Sequence, residues 1–480
     1  MVVARYSHGQ LLIIDRLREM VRLGAGLEAD GRLDKAVAAR AIACLERFGQ
    51  RLRDMHARSV RVMGTNALRQ ARGKQAFLER AREALGHPIE IISGMEEARL
   101  IYSGVAHTMP SEPGRRLVCD IGGGSTELII GENLTPIHLE SLQMGCVSFS
   151  RKFFDDGRLS AKRMQRARVF ASLELEPVQE SFRRRGWDQA VGSSGTVRAI
   201  GEAIRELAPQ STSITPGGLE ALMERMLQAG KIDDLNIAAV TAERAPVFPG
   251  GVAILAEVFD ALKVKQMSIA EGAMRDGILY DMLGRFTHED ARERTVTSMQ
   301  ARYHVDIAQA ERVERAVSAM LEQVAGPWQL EDPLAELALQ WSARLHEIGL
   351  DVSHSRYHQH GAYLLENADM PGFPREEQRL LAQLVGCHRR KLSLQRLEEL
   401  LPPWDRRALS LIVILRLAVL LCRGRSEVAL PVFELSAKAR SLDVRFPRRW
   451  LQDHPLTFAD LAQEIEHLRA VGFRLRVYGN

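Results

Sequence analysis

Residues 117–132 read LVCDIGGGSTELIIGE, and this stretch decides the fold of the chain. An apolar strand runs into three glycines and continues as a second apolar strand, which is the pattern of a hairpin. A Walker A loop or a dinucleotide fingerprint instead needs a helix after its glycines, so that the helix N-terminus faces the phosphate. The sequence therefore predicts a β-hairpin whose loop binds an anion.

The residues of this loop are suited to bind phosphate and metal together. The glycines are Gly122, Gly123 and Gly124. Glycine permits positive φ and close approach to a ligand, and Ser125 adds a hydroxyl donor. Asp120 and Glu127 flank the loop and offer the oxygen ligands that Mg²⁺ prefers. An ordinary tight hairpin with flanking acids has the same composition, so this segment alone leaves both interpretations open.

Length, charge and cysteine usage indicate a large cytoplasmic protein. The 480 residues suggest about three domains, and a formal net charge of +4 is too small to indicate a nucleic-acid partner. The five cysteines show no CxxC spacing, as expected for reduced thiols. The longest apolar run, residues 409–422, carries Arg416 and is too short to span a bilayer. We expect no secretory signal or transmembrane segment, and leave open a peripheral position at the inner membrane.

The chain before the hairpin alternates strand and helix patterns. Strand-like runs at residues 11–16, 59–64 and 89–93 are separated by helical patterns at residues 35–55 and 74–85. This alternation predicts an α/β layer arrangement.

Two more glycine loops follow strand-like runs after the hairpin, at residues 192–196 and 270–277. Open α/β sheets bind ligands at the carboxyl ends of their strands. We therefore expect one shared cleft. The further residues expected to line it are Gly195, Thr196 and Gly272.

Long helical periodicity replaces the glycine loops from about residue 290 onward. The helical patterns cover residues 308–324, 334–346, 376–387 and 406–422. Short strand-like runs return at residues 442–446 and 473–478. We expect an all-α domain followed by a small α+β element.

The helical part contains a group of potential metal ligands. They are His346, Glu347, His354, His358, His360 and His388. The group resembles the metal site of HD phosphohydrolase domains. That site needs a His-Asp pair and a late Asp, where this chain has Glu347 and Val419. We therefore expect an HD-like scaffold whose metal site is degenerate.

Five motifs together carry a resemblance to a known family. They lie at residues 94–100, 120–127, 144–148, 192–196 and 271–277. In this order, over nearly the whole chain, they resemble the family of exopolyphosphatase and guanosine pentaphosphate phosphohydrolase. The resemblance implies two ribonuclease-H-like domains of the actin, hexokinase and sugar-kinase superfamily, then an HD-like domain, and a homodimer.

The resemblance predicts four parts with defined limits. Residues 1–102 and 103–283 form the two ribonuclease-H-like domains, residues 284–425 the HD-like domain and residues 426–480 the C-terminal α+β element.

Within this family the chain looks closer to exopolyphosphatase. The triple glycine and the stretches at residues 145–149, 284–288 and 387–391 favour it. We expect Mg²⁺-dependent release of orthophosphate from the ends of inorganic polyphosphate. Guanosine pentaphosphate hydrolysis is the alternative.

The resemblance also implies roles for individual residues. Glu97 orients and deprotonates the attacking water, Asp120 and Glu127 carry Mg²⁺, and Arg69 contacts phosphate through its guanidinium. Without the resemblance, Glu97 would be interpreted as an acid that complements a helix N-terminus, and Arg69 as an exposed helix arginine.

One departure from the family concerns the start of the chain. The family begins with an Asp-Leu-Gly-Ser-Asn-Ser phosphate loop, and this chain starts at a position after that loop. We expect that translation begins upstream; the alternative is a shortened protein with one wall of the phosphate site missing. A non-catalytic phosphate or nucleotide sensor is the alternative from another functional class, and Glu97 argues against it.

Overall fold

The computed structural model describes residues 1–7, 10–28, 30–110, 113–286, 290–392, 394–395 and 397–479. They form two compact units, Met1–Asp290 and Ala291–Asn480. The finer division into four parts stays a prediction. Thr287 and His288, which belong to one stretch that favours exopolyphosphatase, lie outside the described residues.

The first unit alternates strands and helices, as the sequence predicts. Its strands are β1 (Val2–Ser7), β2 (Gln10–Arg16), β3 (Met63–Gly64), β4 (Glu90–Ile91), β5 (Arg115–Ile121), β6 (Thr126–Glu132), β7 (Thr135–Leu142), β8 (Gln189–Gly192) and β9 (Ser268–Ile269). Its helices are α1 (Lys35–Leu52), α2 (Asn66–Gln70), α3 (Gln75–Leu85), α4 (Gly94–Thr108), α5 (Cys146–Phe153), α6 (Ala161–Arg185), α7 (Gly195–Leu207), α8 (Pro216–Ala229), α9 (Phe248–Leu262) and α10 (Met274–Phe286).

A five-stranded mixed sheet, in the order β7-β6-β5-β8-β9, organises this unit. The predicted hairpin is confirmed, because β5 and β6 pair antiparallel. Strands β8 and β9 run parallel to β5. The carboxyl ends of these three strands therefore meet at one edge, which brings the glycine loops together.

The apolar hairpin strands are buried because helices cover both faces of the sheet. Alternate residues point to opposite faces. Leu117 and Leu128 belong to a core with residues of α6, α7 and α9, whereas Val118 and Ile129 pack with residues of α4.

The other four strands of the unit form two separate pairs. Strands β1 and β2 make an antiparallel hairpin. The predicted strands at residues 59–64 and 89–93 pair only as Met63 with Glu90 and Gly64 with Ile91, in parallel. The segment Ala245–Leu262 is long and apolar enough to cross a membrane, but 72% of it is buried in the fold. It includes α9, which packs in the core.

The second unit is mostly helical, as predicted. Its helices are α11 (Ala291–Arg302), α12 (Ile307–Trp328), α13 (Pro333–Leu345), α14 (Tyr357–Asn367), α15 (Arg375–Cys387), α16 (Trp404–Leu421), α17 (Trp450–Asp453) and α18 (Pro455–Arg469). Its strands, β10 (Glu434–Lys438), β11 (Ser441–Phe446) and β12 (Arg474–Gly479), form one sheet.

Helix α16 packs in the core of this unit. It carries one buried charged side chain, Arg416, and the partners of this side chain compensate its charge. Arg416 is 2% exposed. It donates to Glu464 of α18 at 2.5 and 2.8 Å and to the carbonyl oxygen of Cys387 at 2.6 Å. A buried charge paired in this way needs no contact with water.

Candidate active site

Helix α4 places Glu97 at the edge of the central sheet. The helix begins after Ser93, whose hydroxyl accepts from the Glu96 N–H at 3.1 Å. Gly94 allows the first turn to approach β7, because a Cβ there would lie 2.6 Å from the Ser141 Cβ and still closer to its hydroxyl. The Glu97 side chain is 12% exposed and lines a cavity of about 940 Å³.

Arg69 holds the Glu97 carboxylate. Its Nη1 donates to Glu97 Oε2 at 2.8 Å and to the carbonyl oxygen of Ile92 at 3.0 Å. Burial raises the pKa of Glu97, and the adjacent guanidinium opposes that rise. The structure thus pairs Arg69 with Glu97. Its predicted contact with phosphate stays a prediction.

Asp120 and Glu127 face each other across the hairpin, because they are direct cross-strand partners. Ser193 donates to Asp120 at 2.5 Å, and Ser141 donates to Glu127 at 2.8 Å. Burial raises the pKa of Asp120 to about 6. Burial, followed by the charges of Glu97 and Asp120, raises the pKa of Glu127 well above its usual value. Three carboxylates therefore share one weakly solvated site.

The carboxylate pair fits a hard cation. Like charges directly opposite each other on neighbouring strands are unfavourable unless something neutralises them. No group of three or more His, Cys, Asp or Glu side chains, within the described ranges, is arranged to hold a metal ion. Mg²⁺ needs only one or two carboxylates when water and substrate phosphates supply the other ligands. Asp120 and Glu127 match this requirement.

The glycine loop adopts a different conformation from the one expected. None of Gly122, Gly123 and Gly124 has a positive φ, so the loop does not use the backbone freedom that glycine permits. Small size matters at Gly124, where a Cβ would overlap Asn66 Oδ1, and at Gly145, where a Cβ would overlap the backbone of this loop.

The first turn of α5 binds the glycine loop from the other side. The N–H of Cys146 donates to the Gly122 carbonyl at 2.9 Å, and that of Val147 donates to the Gly123 carbonyl at 3.0 Å. The Gly122 N–H donates to the Ser125 carbonyl at 2.9 Å. Gly122 and Gly123 line the cavity, whereas Ser125 is 2% exposed and bonds to Glu127.

The second and third glycine loops both reach the same cavity, the third through residues such as Glu271 and Arg275, but Gly272 itself does not line it. Gly195 and Thr196 begin α7 and line the cavity. Their position places a helix N-terminus at the site, which favours an anion. Gly272 lines a neighbouring cavity of about 600 Å³ and packs against α4, where a Cβ would lie 2.5 Å from the Gly104 carbonyl. Its role in phosphate binding stays a prediction without support from this geometry.

Arginines give part of the cavity a positive charge. Among the described residues, the arginines that line it are Arg16, Arg18, Arg22, Arg151, Arg198, Arg244 and Arg275. The acidic side chains that line it are Glu97, Asp120, Asp155, Asp156, Asp233, Glu243, Glu271 and Asp276. The positive charge is therefore local. Burial lowers the pKa of Arg244, and the charges of Arg18 and Arg198 lower it further. An anion bound between these three would relieve their repulsion.

Sequence reasoning missed these arginines and the serines that bind the carboxylates. Strand β2 ends at Arg16, and Arg18 and Arg22 follow closely in the sequence. This cluster of arginines beside a strand end was a sequence signal for the positive part of the cavity. Ser141 lies on β7, which carries no glycine motif, so only the folded sheet brings it to Glu127.

Three histidines of the second unit form a buried cluster. His346, His358 and His388 are at most 6% exposed. Nδ1 of His346 and of His388 donates to a backbone carbonyl, at 2.7 and 2.5 Å. The other nitrogen of each ring, and Nδ1 of His358, are buried with no hydrogen-bond partner in the described part of the chain. Glu347 instead pairs with Arg425 at 2.6 Å.

Comparison with known families follows the same division of the chain. Residues 2–286 match the profile of the Ppx/GppA phosphatase family. Residues 291–465 match the profile of Ppx/GppA phosphatase, domain III. Together the two matches cover nearly all of both units.

Curated relatives match along nearly the full length. A guanosine-5'-triphosphate,3'-diphosphate pyrophosphatase of Aeromonas hydrophila is 40% identical over 477 residues, which is 99% of this chain and 96% of the relative. A protein of the same name from Vibrio atlanticus is 38% identical over 478 residues, 99% of this chain and 95% of the relative.

A solved structure shares the fold of part of the chain. The crystal structure of an exopolyphosphatase from Cytophaga hutchinsonii has a TM-score of 0.53 and 22% identity, and the match covers 59% of this chain and 93% of that protein. At this identity the likeness concerns the fold alone.

Proposed function

This chain belongs to the Ppx/GppA phosphatase family, and from this premise we propose that it hydrolyses guanosine-5'-triphosphate,3'-diphosphate. As a member of this family it is a hydrolase of phosphoanhydride bonds. In the proposed reaction, water releases the terminal phosphate of the 5'-triphosphate.

The observation that carries the choice of substrate is the full-length identity of 38 to 40% to relatives with that name. The sequence motifs favoured exopolyphosphatase, and this order of preference is reversed. Polyphosphate ends in the same phosphoanhydride bond, so we keep exopolyphosphatase as the second candidate.

The geometry supports a mechanism that relies on positioning and electrostatics. Glu97 lines the cavity with a raised pKa, which suits a group that orients water and accepts its proton. The glycine loop at Gly122 and the N-terminus of α7 at Gly195 would receive the phosphoryl oxygens. Arg18 and Arg244 would neutralise the remaining phosphate charge.

We propose Mg²⁺ as the cofactor, held by Asp120 and Glu127. When bound, it would neutralise charge on the phosphoryl oxygens and help to align the bond that breaks. We also propose that the first unit consists of two ribonuclease-H-like domains and that the second is HD-like. A homodimer in the cytoplasm stays a prediction from the family resemblance.

The test is phosphate release with Mg²⁺ from guanosine pentaphosphate and, separately, from long-chain polyphosphate. We expect the larger kcat/KM for the pentaphosphate. Glu97→Gln should lower kcat by about 10² to 10⁴-fold, the range for loss of a general base. The matched control is Glu83→Gln, at an exposed position of α3, which should leave kcat unchanged.

Each other outcome selects a different function. A larger kcat/KM for polyphosphate would return the chain to exopolyphosphatase. Binding of either compound without release of phosphate would support the alternative that the chain is a non-catalytic phosphate or nucleotide sensor.

A further inference from the structure

Arg69 and Glu97 are each other's charged partner, and Glu97 lines the wall of the cavity. Their side chains are 14% and 12% exposed, and 2.8 Å separates Arg69 Nη1 from Glu97 Oε2. In this arrangement the candidate base is engaged by a cation before any substrate arrives.

Arg69 also has unused donor capacity. Nη1 serves both Glu97 and the Ile92 carbonyl. Nη2 is buried and has no hydrogen-bond partner in the residues that the structure describes. A buried donor without a partner is unfavourable, and a guanidinium binds two oxygens of a phosphate in a forked geometry. The site is therefore incomplete until an oxyanion reaches it.

The cavity brings such an oxyanion close. Glu97, Asp120 and Gly122 line its wall. A terminal phosphoryl group seated against them would come close to Arg69, because Arg69 donates directly to Glu97. Glu97 and the phosphoryl group thus present two anions to one guanidinium.

We propose that Arg69 exchanges partners during the reaction, holding Glu97 in the free enzyme and moving to the terminal phosphoryl group of the bound substrate. This inference rests on the proposed hydrolysis of a phosphoanhydride. The exchange frees Glu97 for water. The water oxygen bonds to the terminal phosphorus while its proton passes to Glu97. The bond from that phosphorus to the bridging oxygen breaks, and its electron pair stays on this oxygen, which becomes the end of the 5'-diphosphate of the guanosine product.

The exchange predicts competition, because Glu97 and phosphate cannot both hold Arg69 fully. The test compares four proteins at fixed Mg²⁺ by calorimetric titration with inorganic phosphate. They are the unsubstituted chain, Glu97→Gln, Arg69→Gln and the double variant. We expect Glu97→Gln to bind phosphate about tenfold more tightly, the effect of one charge-assisted hydrogen bond. In the Arg69→Gln background that gain should disappear.

Two results would overturn the exchange. An equal gain in both backgrounds would mean that Glu97 only repels anions through its charge. No gain in either background would mean that Glu97 and phosphate do not compete. Thermal unfolding checks that each variant folds, and Arg69→Met replaces Arg69→Gln, with the same expectation, if the latter does not.

Phosphate release from guanosine pentaphosphate, measured in parallel on the unsubstituted chain, separates this inference from the function on which it rests. Here the coupling is the gain in phosphate affinity on Glu97→Gln that disappears in the Arg69→Gln background. Turnover of guanosine pentaphosphate without this coupling overturns the exchange and leaves the proposed function intact. Coupling without turnover overturns the function and supports the exchange at a phosphate site.

Discussion

At the scale of single residues, the site concentrates carboxylates that come from different elements. Glu97 lies in the first turn of α4, Asp120 is near the end of β5, and Glu127 is near the start of β6. Burial raises the pKa values of all three, and the charge of Glu97 raises those of Asp120 and Glu127 further. Such a group stores unfavourable electrostatic free energy that a bound cation would release.

Replacing either carboxylate of the facing pair should therefore weaken the binding of Mg²⁺. Asp120→Asn or Glu127→Gln is expected to raise the Mg²⁺ concentration for half-maximal activity by at least about tenfold, since loss of even an outer partner has this effect. Titration of phosphate release with Mg²⁺ measures it. Glu132→Gln, at the exposed end of the same strand, is the control. An unchanged Mg²⁺ titration in both variants would remove this pair as the metal site.

At the scale of elements, glycines set how closely α4 approaches its neighbours. Gly94 lets its first turn reach β7, and Gly104 lets its middle reach the start of α10, where Gly277 is the matching small residue. The position of Glu97 depends on this packing, because its helix has no freedom to move without overlapping a neighbour.

We expect Gly94→Ala to impair catalysis more than stability. The new methyl group overlaps Ser141 and displaces the turn that carries Glu97. A misplacement of about 1 Å can reduce the rate by about 10²-fold. Gly217→Ala is a matched control, since it also lies in the first turn of a helix but in open space. Steady-state kinetics and thermal unfolding of both variants check this, and equal kcat values would contradict it.

At the scale of the whole molecule, each unit is built around its own core. The carboxylate site lies in the first unit and the buried histidine cluster in the second. The two units should therefore respond differently to pH.

The histidine cluster predicts that the second unit loses stability in acid. Burial, followed by the positive charges of Arg389 and Arg390, lowers the pKa of His358 from 6.5 to about 4. Burial also lowers the pKa of His346 and of His388, the latter with His346 as the next cause. Across this window the unfolded chain binds protons that the folded unit does not, so its stability falls as pH drops.

The measurement is the slope of the unfolding free energy against pH between 4 and 6.5. Each buried imidazole contributes up to about 1.4 kcal/mol per pH unit. Denaturation followed by tryptophan fluorescence is suitable, because four of the five tryptophans lie in the second unit. His358→Gln should reduce the slope, and the exposed His354→Gln should not. Equal slopes in all three proteins would reject the role of the cluster.

Much of the fold was predictable because its patterns are local. The hairpin around Gly122, the parallel strands before the two later glycine loops and the long helices of the second unit follow from period-2 and period-3.6 patterns. The strands at residues 59–64 were overestimated, because pairing with β4 is confined to Met63 and Gly64. The length of β3 is limited by its pairing with β4 and not by the composition of residues 59–64.

The sequence by itself determined the α/β class, the helical second half, the family and the identity of the candidate carboxylates, since these depend on residue types and short spacings. Only the tertiary structure decided that Arg69 holds Glu97, that Ser141 binds Glu127 and that Gly272 packs against α4. These contacts join residues that are far apart in the chain. Chain closure and packing set such distances, and no local pattern encodes them.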